Sequence, residues 1–110
     1  MKKGKKREKT SDKDENAGWD DLERCREEID AVDGQILSLL RRRLDVAVGI
    51  GRIKEKRGLE VFDPVREKEI LDRLAAKPEG RLTSDAIRDI YTRIIAAGRA
   101  VQESLKEYNP

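Results

Sequence analysis

Histidine is absent from this 110-residue chain, and cysteine occurs once, at Cys25. Without them the common zinc ligand sets and the Ser-His and Cys-His nucleophilic arrangements cannot be assembled. A lone cysteine also excludes an internal disulfide and fits a reducing compartment. No apolar run approaches the roughly 20 residues of a membrane span, and no apolar segment follows the basic N-terminus. The expected location is therefore cytoplasmic. Aromatic residues make up only 4% of the chain, and no stretch alternates as a strand would.

Charge is what the chain has in abundance, at 44% of its residues. Together with few aromatics, this suits long helices with solvated outer faces and apolar seams. The net charge of +2 is unevenly placed, because Lys2, Lys3, Lys5, Lys6, Arg7, Lys9 and Lys13 crowd the start and the rest is close to neutral. Residues 1–17 lack periodicity and read as a disordered basic and polar tail, with one domain over residues 18–110. Basic clusters attract phosphate, but no aromatic interleaves these lysines, so nucleic acid is not the expected partner.

From Leu22 to Ile53 apolar residues recur at heptad spacing: Leu22, Cys25, Ile29, Val32, Ile36, Leu39, Val46, Ile50 and Ile53. The run predicts one amphipathic helix from about Asp20 to Lys56, on the order of 55 Å long at 1.5 Å per residue. A compact domain of this size has a radius of gyration of only about 12 Å, so a second copy of the chain is expected to cover the seam. Arg43 interrupts the seam. A guanidinium there needs either a distant acid or an anionic ligand. Gly58 then punctuates the chain, and Asp63-Pro64 is a cap followed by proline at the first helical position. Glu67, Ile70, Leu71 and Leu74 form one stripe of this short helix, which Lys77-Pro78-Glu79-Gly80 ends. Thr83 or Ser84 starts a third helix with Ile87, Ile90, Ile94, Ala97, Val101 and Leu105 at helical spacing. The expected architecture is all-α, with long, short and medium helices.

Four polar side chains stand on or beside these apolar faces: Arg43, Lys54, Glu67 and Gln102. Arg43 and Lys54 are about 20° apart round the helix and about 16 Å apart along it, so both could reach one ligand. Arg26 lies about 25 Å before Arg43 and roughly 100° round, and only an antiparallel partner helix could deliver it to the same place. Each residue alone has an ordinary reading: Lys54 as a snorkelling lysine, Glu67 as an ion-pair partner of Arg66 or of a base on the first helix, Gln102 as a boundary residue, and Asp63 as a cap. Together they describe a site for a dianion, preferably a dicarboxylate. With no evident nucleophile, any catalysis would rest on positioning and electrostatics.

The stretches Leu22–Asp33 (LERCREEIDAVD), Ile36–Lys54 (ILSLLRRRLDVAVGIGRIK), Asp63–Leu74 (DPVREKEILDRL) and Ile90–Gln102 (IYTRIIAAGRAVQ) resemble the all-helical class of chorismate mutases. The resemblance covers about residues 20–106. It implies an intertwined helical homodimer that performs the Claisen rearrangement of chorismate to prephenate, in the shikimate route to phenylalanine and tyrosine, with no cofactor and no metal. By the same resemblance, Arg43 and Arg26 of the partner subunit would clamp the substrate carboxylates. Lys54 and Gln102 would donate to the ether oxygen, and Glu67 would hold the ring hydroxyl with help from the backbone near Asp63. Arg66 would orient Glu67 or a carboxylate. If Glu67 or Gln102 must be protonated or neutral beside the ether oxygen, activity would depend on pH.

One departure stands out. Family members often carry serine where this chain has Gly98, and that hydroxyl contacts a carboxylate, so weaker substrate binding is expected here with the rearrangement retained. Two other readings stay open: an isochorismate–pyruvate lyase on the same fold, and a non-enzymatic helical dimerisation module with a basic arm. Because the chain ends at Pro110, we expect a monofunctional protein or a subunit working beside a partner enzyme of the shikimate pathway.

Overall fold

The computed structural model describes residues 11–108. It contains three helices, α1 (Ser11–Arg57), α2 (Pro64–Ala75) and α3 (Ser84–Tyr108), and no strand among the described residues. The chain divides into two units, Met1–Ser38 and Leu39–Pro110. In the first, α1 begins at Ser11, so the helix includes residues 11–17, which the sequence assigned to the tail. Extending an existing helix adds one hydrogen bond per residue fixed without a new nucleus, which favours growth into a polar segment. The basic cluster from Lys2 to Lys9 lies outside the described residues. Within this unit Ile29 is 61% exposed, and Leu22, Val32 and Ile36 are exposed too.

The second unit holds the rest of α1 with α2 and α3. Helix α1 ends one residue beyond the expected Lys56. Gly58 takes a φ of 68°, Leu59 N–H donates to the Lys54 carbonyl at 2.8 Å, and Gly58 N–H donates to that of Glu55 at 3.2 Å. This is the Schellman pattern, and it requires the left-handed conformation that glycine adopts freely. Helix α2 starts as its sequence dictates. The Asp63 carboxylate accepts the Arg66 N–H at 3.1 Å, the Asp63 carbonyl accepts that of Glu67 at 3.0 Å, and Pro64 occupies the first turn. Its predicted stripe, Glu67, Ile70, Leu71 and Leu74, is the half-buried one, and Ala75 is buried.

Thr83 caps α3, its carbonyl accepting from Ile87 N–H at 2.9 Å and its hydroxyl from Ala86 N–H at 3.1 Å. Ser84 instead donates its hydroxyl to the Ala75 carbonyl at 2.6 Å, tying the end of α2 to the start of α3. Arg88 adds a 3.1 Å ion pair to Asp72, which Lys68 also contacts at 2.6 Å.

The inner face of α3 departs from the expected stripe. Ile87 is buried, and Ile94, Val101 and Leu105 are half-buried, but Ile90 and Ala97 are exposed, while Ile95 and Gly98 are buried. An isoleucine-rich helix offers two adjacent stripes, and the close approach of α1 selects between them. A Cβ on Gly51 would lie 3.0 Å from both Gln102 Cγ and Leu105 Cδ1, and one on Gly98 would lie 3.8 Å from Ala47 Cβ. Small residues on both helices set this crossing. The buried apolar set is Ala47, Val61, Ala75, Ile87 and Ile95. The heptad positions of α1 in this unit, Leu39, Val46, Ile50 and Ile53, are all exposed.

Candidate active site

The three helices of the second unit enclose a cleft of about 430 Å³. Seven of the eight residues the sequence nominated line it: Arg43, Lys54, Asp63, Arg66, Glu67, Gly98 and Gln102. Val46, Ala47, Ile50, Ile70 and Ile95 supply an apolar wall. The eighth, Arg26, belongs to the first unit, where it is exposed and pairs with Glu23 at 3.1 Å.

Arg43 projects from α1 beside Gly98, where the missing side chain leaves its guanidinium room. Half-buried, it makes no hydrogen bond or ion pair among the described residues. Of the two readings for a cation in the seam, the distant acid is absent among them. Gln102, expected at the border of the α3 stripe, is half-buried, and its Oε1 is buried without a hydrogen-bond partner. An amide exchanges oxygen for NH₂ by half a rotation, so this position can accept or donate. Leaving such a group unpaired costs about 1–3 kcal/mol, which a ligand would recover.

Lys54 is anchored. Its ammonium donates to the Val61 carbonyl at 2.7 Å, which ties the end of α1 to the connection leading into α2. Two further N–H donors remain on the ammonium for the cleft.

Glu67 is held by a residue that spacing did not reveal. Arg99, on α3, donates from Nε and NH2 to Oε2 and Oε1 of Glu67, both at 2.9 Å. Its guanidinium also lies over the Phe62 ring, 5.2 Å from the centroid. The hydrogen bonds to Glu67 raise the Arg99 pKa above its ordinary value, against an opposing effect of burial. Arg66, expected to orient Glu67 or a carboxylate, lines the cleft but pairs with Glu69 at 2.7 Å rather than with Glu67. The reason is geometric: adjacent helical residues point apart, whereas residues three apart face each other. No sequence signal identified Arg99, since its partner lies 32 positions away.

An unpaired guanidinium, an anchored ammonium, an amide and a neutralised carboxylate around an apolar wall suit a small, compact dianion. They favour electrostatic work over covalent work. Among the described residues no group of His, Cys, Asp or Glu side chains is placed to hold a metal ion.

Comparison with known proteins agrees with this chemistry. Residues 25–103 match the family described as chorismate mutase type II. A bifunctional chorismate mutase/prephenate dehydratase from Aquifex aeolicus is 34% identical over 91 residues, covering 79% of this chain and 25% of that protein. A 4-amino-4-deoxychorismate mutase from Streptomyces venezuelae is 42% identical over 55 residues, half of this chain and 53% of that one. The chain thus spans between a quarter and about half of these relatives. The crystal structure of a chorismate mutase from Helicobacter pylori, in complex with prephenate, superposes with a TM-score of 0.72 at 38% identity, covering 78% of this chain and 94% of that one.

Proposed function

The chain belongs to the chorismate mutase type II family, and from that premise we propose that it rearranges chorismate to prephenate in a site completed by a second copy of itself. The observation that carries this reading is the pair of residues with unsatisfied polar groups, Arg43 and Gln102, lining one cleft.

The rearrangement is intramolecular: the ether C–O bond breaks as a C–C bond forms, and no atom enters or leaves. Residues therefore need only hold the reactive conformer and stabilise charge. Arg43 takes one substrate carboxylate in a fork of two N–H donors, and Arg26 of the partner subunit takes the other. Confining the enolpyruvyl arm in a chair-like geometry removes much of the entropic barrier. Lys54 and Gln102 donate to the ether oxygen. Their hydrogen bonds strengthen as negative charge develops there, which is differential binding of the transition state. The Val61 carbonyl holds Lys54 in place beforehand, so little reorganisation accompanies the reaction. Glu67 accepts from the ring hydroxyl, with the α2 N-terminus at Asp63 nearby. The chemistry calls for no cofactor.

The homodimer is supported by the exposed heptad positions of α1, among them Ile29, Val32, Ile36, Leu39, Val46 and Ile50. Apolar residues repeated in this way are a seam for another helix. We propose a cytoplasmic enzyme acting alone or beside a partner enzyme of aromatic amino acid synthesis. No helix among the described residues is long and apolar enough to cross a membrane. The Streptomyces relative is named for a substrate with an amine in place of the ring hydroxyl; chorismate is the substrate proposed here.

The deciding assay follows chorismate by ultraviolet absorbance with wild type and with Arg43→Ala. Consumption by wild type, with prephenate as product and a fall of about a hundredfold or more in the variant, is expected for loss of a bidentate contact in the transition state. If wild type leaves chorismate untouched, the proposal fails, and pyruvate release from isochorismate then tests the lyase reading.

A further inference from the structure

We infer that the Arg99–Glu67 pair sets which ring substituent the site accepts, favouring a neutral hydroxyl over a protonated amine. This inference rests on the proposed placement of Glu67 against the substrate ring.

The pair differs from an ordinary surface salt bridge. It joins α2 to α3, and both side chains line the cleft. They are only 21% exposed at Glu67 and 35% at Arg99. Both carboxylate oxygens are engaged at 2.9 Å by one guanidinium, and the Phe62 ring supports its face. A carboxylate has about four lone-pair positions, and the fork uses two of them. Glu67 therefore still accepts hydrogen bonds, but the unit it presents to the cleft is close to electrically neutral.

That distinction separates two ligand chemistries. A hydroxyl needs a lone pair and nothing more. An alkylammonium gives up a strong hydration shell on entering the cleft and needs a net negative charge to offset the loss. Here it would meet a neutralised acid and, in the same cleft, the cations Arg43 and Lys54, while the other acid of the lining, Asp63, already accepts the Arg66 N–H at 3.1 Å as the cap of α2. Arg99 is then a specificity-determining residue that acts through Glu67 and need not touch the substrate. Removing its charge leaves Glu67 as a free anion, which an ammonium pairs with and a hydroxyl gains little from.

The test compares kcat/KM for chorismate and for 4-amino-4-deoxychorismate. Wild type should prefer chorismate. Arg99→Gln should shift the ratio toward the amine by about tenfold or more, the scale of one charge pair at partial exposure. Arg99→Lys, which keeps the charge, should hold the ratio near wild type, and Glu67→Gln/Arg99→Gln should erase the shift. Glu67→Gln alone, leaving the Arg99 charge unanswered, should move the ratio the other way, and it decides the matter should Arg99→Gln fail to fold. A ratio unchanged within about twofold in Arg99→Gln, with chorismate still converted, overturns the inference. So does an unmoved ratio in Glu67→Gln. Failure of wild type on both substrates instead overturns the proposed activity.

Discussion

Gly98→Ser offers the sharpest separation of fold from function. Gly98 is buried within α3, and its φ is not among the positive values of the chain, so a side chain brings no backbone strain. A Cβ there would lie 3.4 Å from Arg43 NH1 and 3.8 Å from Ala47 Cβ, ordinary van der Waals contacts that displace nothing. Serine in a helix interior is favoured over glycine by roughly 0.5 kcal/mol, worth a rise of about 2–4 °C in Tm for a domain of this size. Its hydroxyl, beside the Arg43 guanidinium, would reach a carboxylate held there. A hydrogen bond to a charged group is worth about 1.5 kcal/mol or more, which lowers KM about tenfold. The bond forms equally in ground and transition states, so kcat should stay unchanged. Steady-state kinetics and thermal circular dichroism measure the two effects independently, and Gly98→Ala isolates the helical one. A higher Tm with unchanged or raised KM would refute the placement of a substrate carboxylate beside residue 98.

Gly51→Ala should act in the opposite sense, because its Cβ would sit 3.0 Å from Gln102 Cγ. Overpacking of about 1–3 kcal/mol there cancels or outweighs the gain of about 1 kcal/mol in helix propensity and displaces the Gln102 amide, so kcat should fall and Tm should not rise; an unchanged kcat would count against Gln102 as a donor. The Asp72 carboxyl is held below its ordinary 3.8, first by the hydrogen bond from Lys68 and then by that from Arg88. A depressed pKa stabilises the fold above the unfolded value and loses that contribution as pH falls through the folded one. Asp72→Asn should therefore flatten the decline in Tm below about pH 4, and parallel wild-type and variant curves would disprove it. Arg26→Ala and Arg43→Ala chains should each be inactive alone, yet co-refolding them in equal amounts should restore about a quarter of the wild-type sites, since half the dimers are mixed and each holds one intact site. No recovery would mean that Arg26 does not act across subunits.

Local chemistry was legible in the sequence wherever the signal sits within one turn. Asp63-Pro64 and Thr83 start α2 and α3 as their capping chemistry requires, and the stripe of α2 is the expected one. The cleft was legible too, because polar residues on apolar faces are unusual enough to stand out together, and Arg43, Lys54, Glu67 and Gln102 do meet. What stayed hidden depends on how helices rotate against each other. Ile90 and Ile95 are equally apolar, and the packing of α3 against its neighbours buries Ile95 and leaves Ile90 exposed. Arg99 belongs to the same class: it reads as a solvated arginine until α2 and α3 pack and bring Glu67 to it. The Arg66–Glu67 pairing was a misreading that helix geometry alone could have corrected, since Glu69 sits on the proper side.

The modest size of the interior has a kinetic consequence. Two of the five buried apolar residues are alanines, and no described side chain lies wholly out of solvent. With so little apolar surface buried among the described residues, a second copy covering the α1 stripe, as proposed above, would supply much of the stability. In the proposed homodimer folding and association would be one event: the melting temperature should rise with protein concentration, and the refolding rate should be second order.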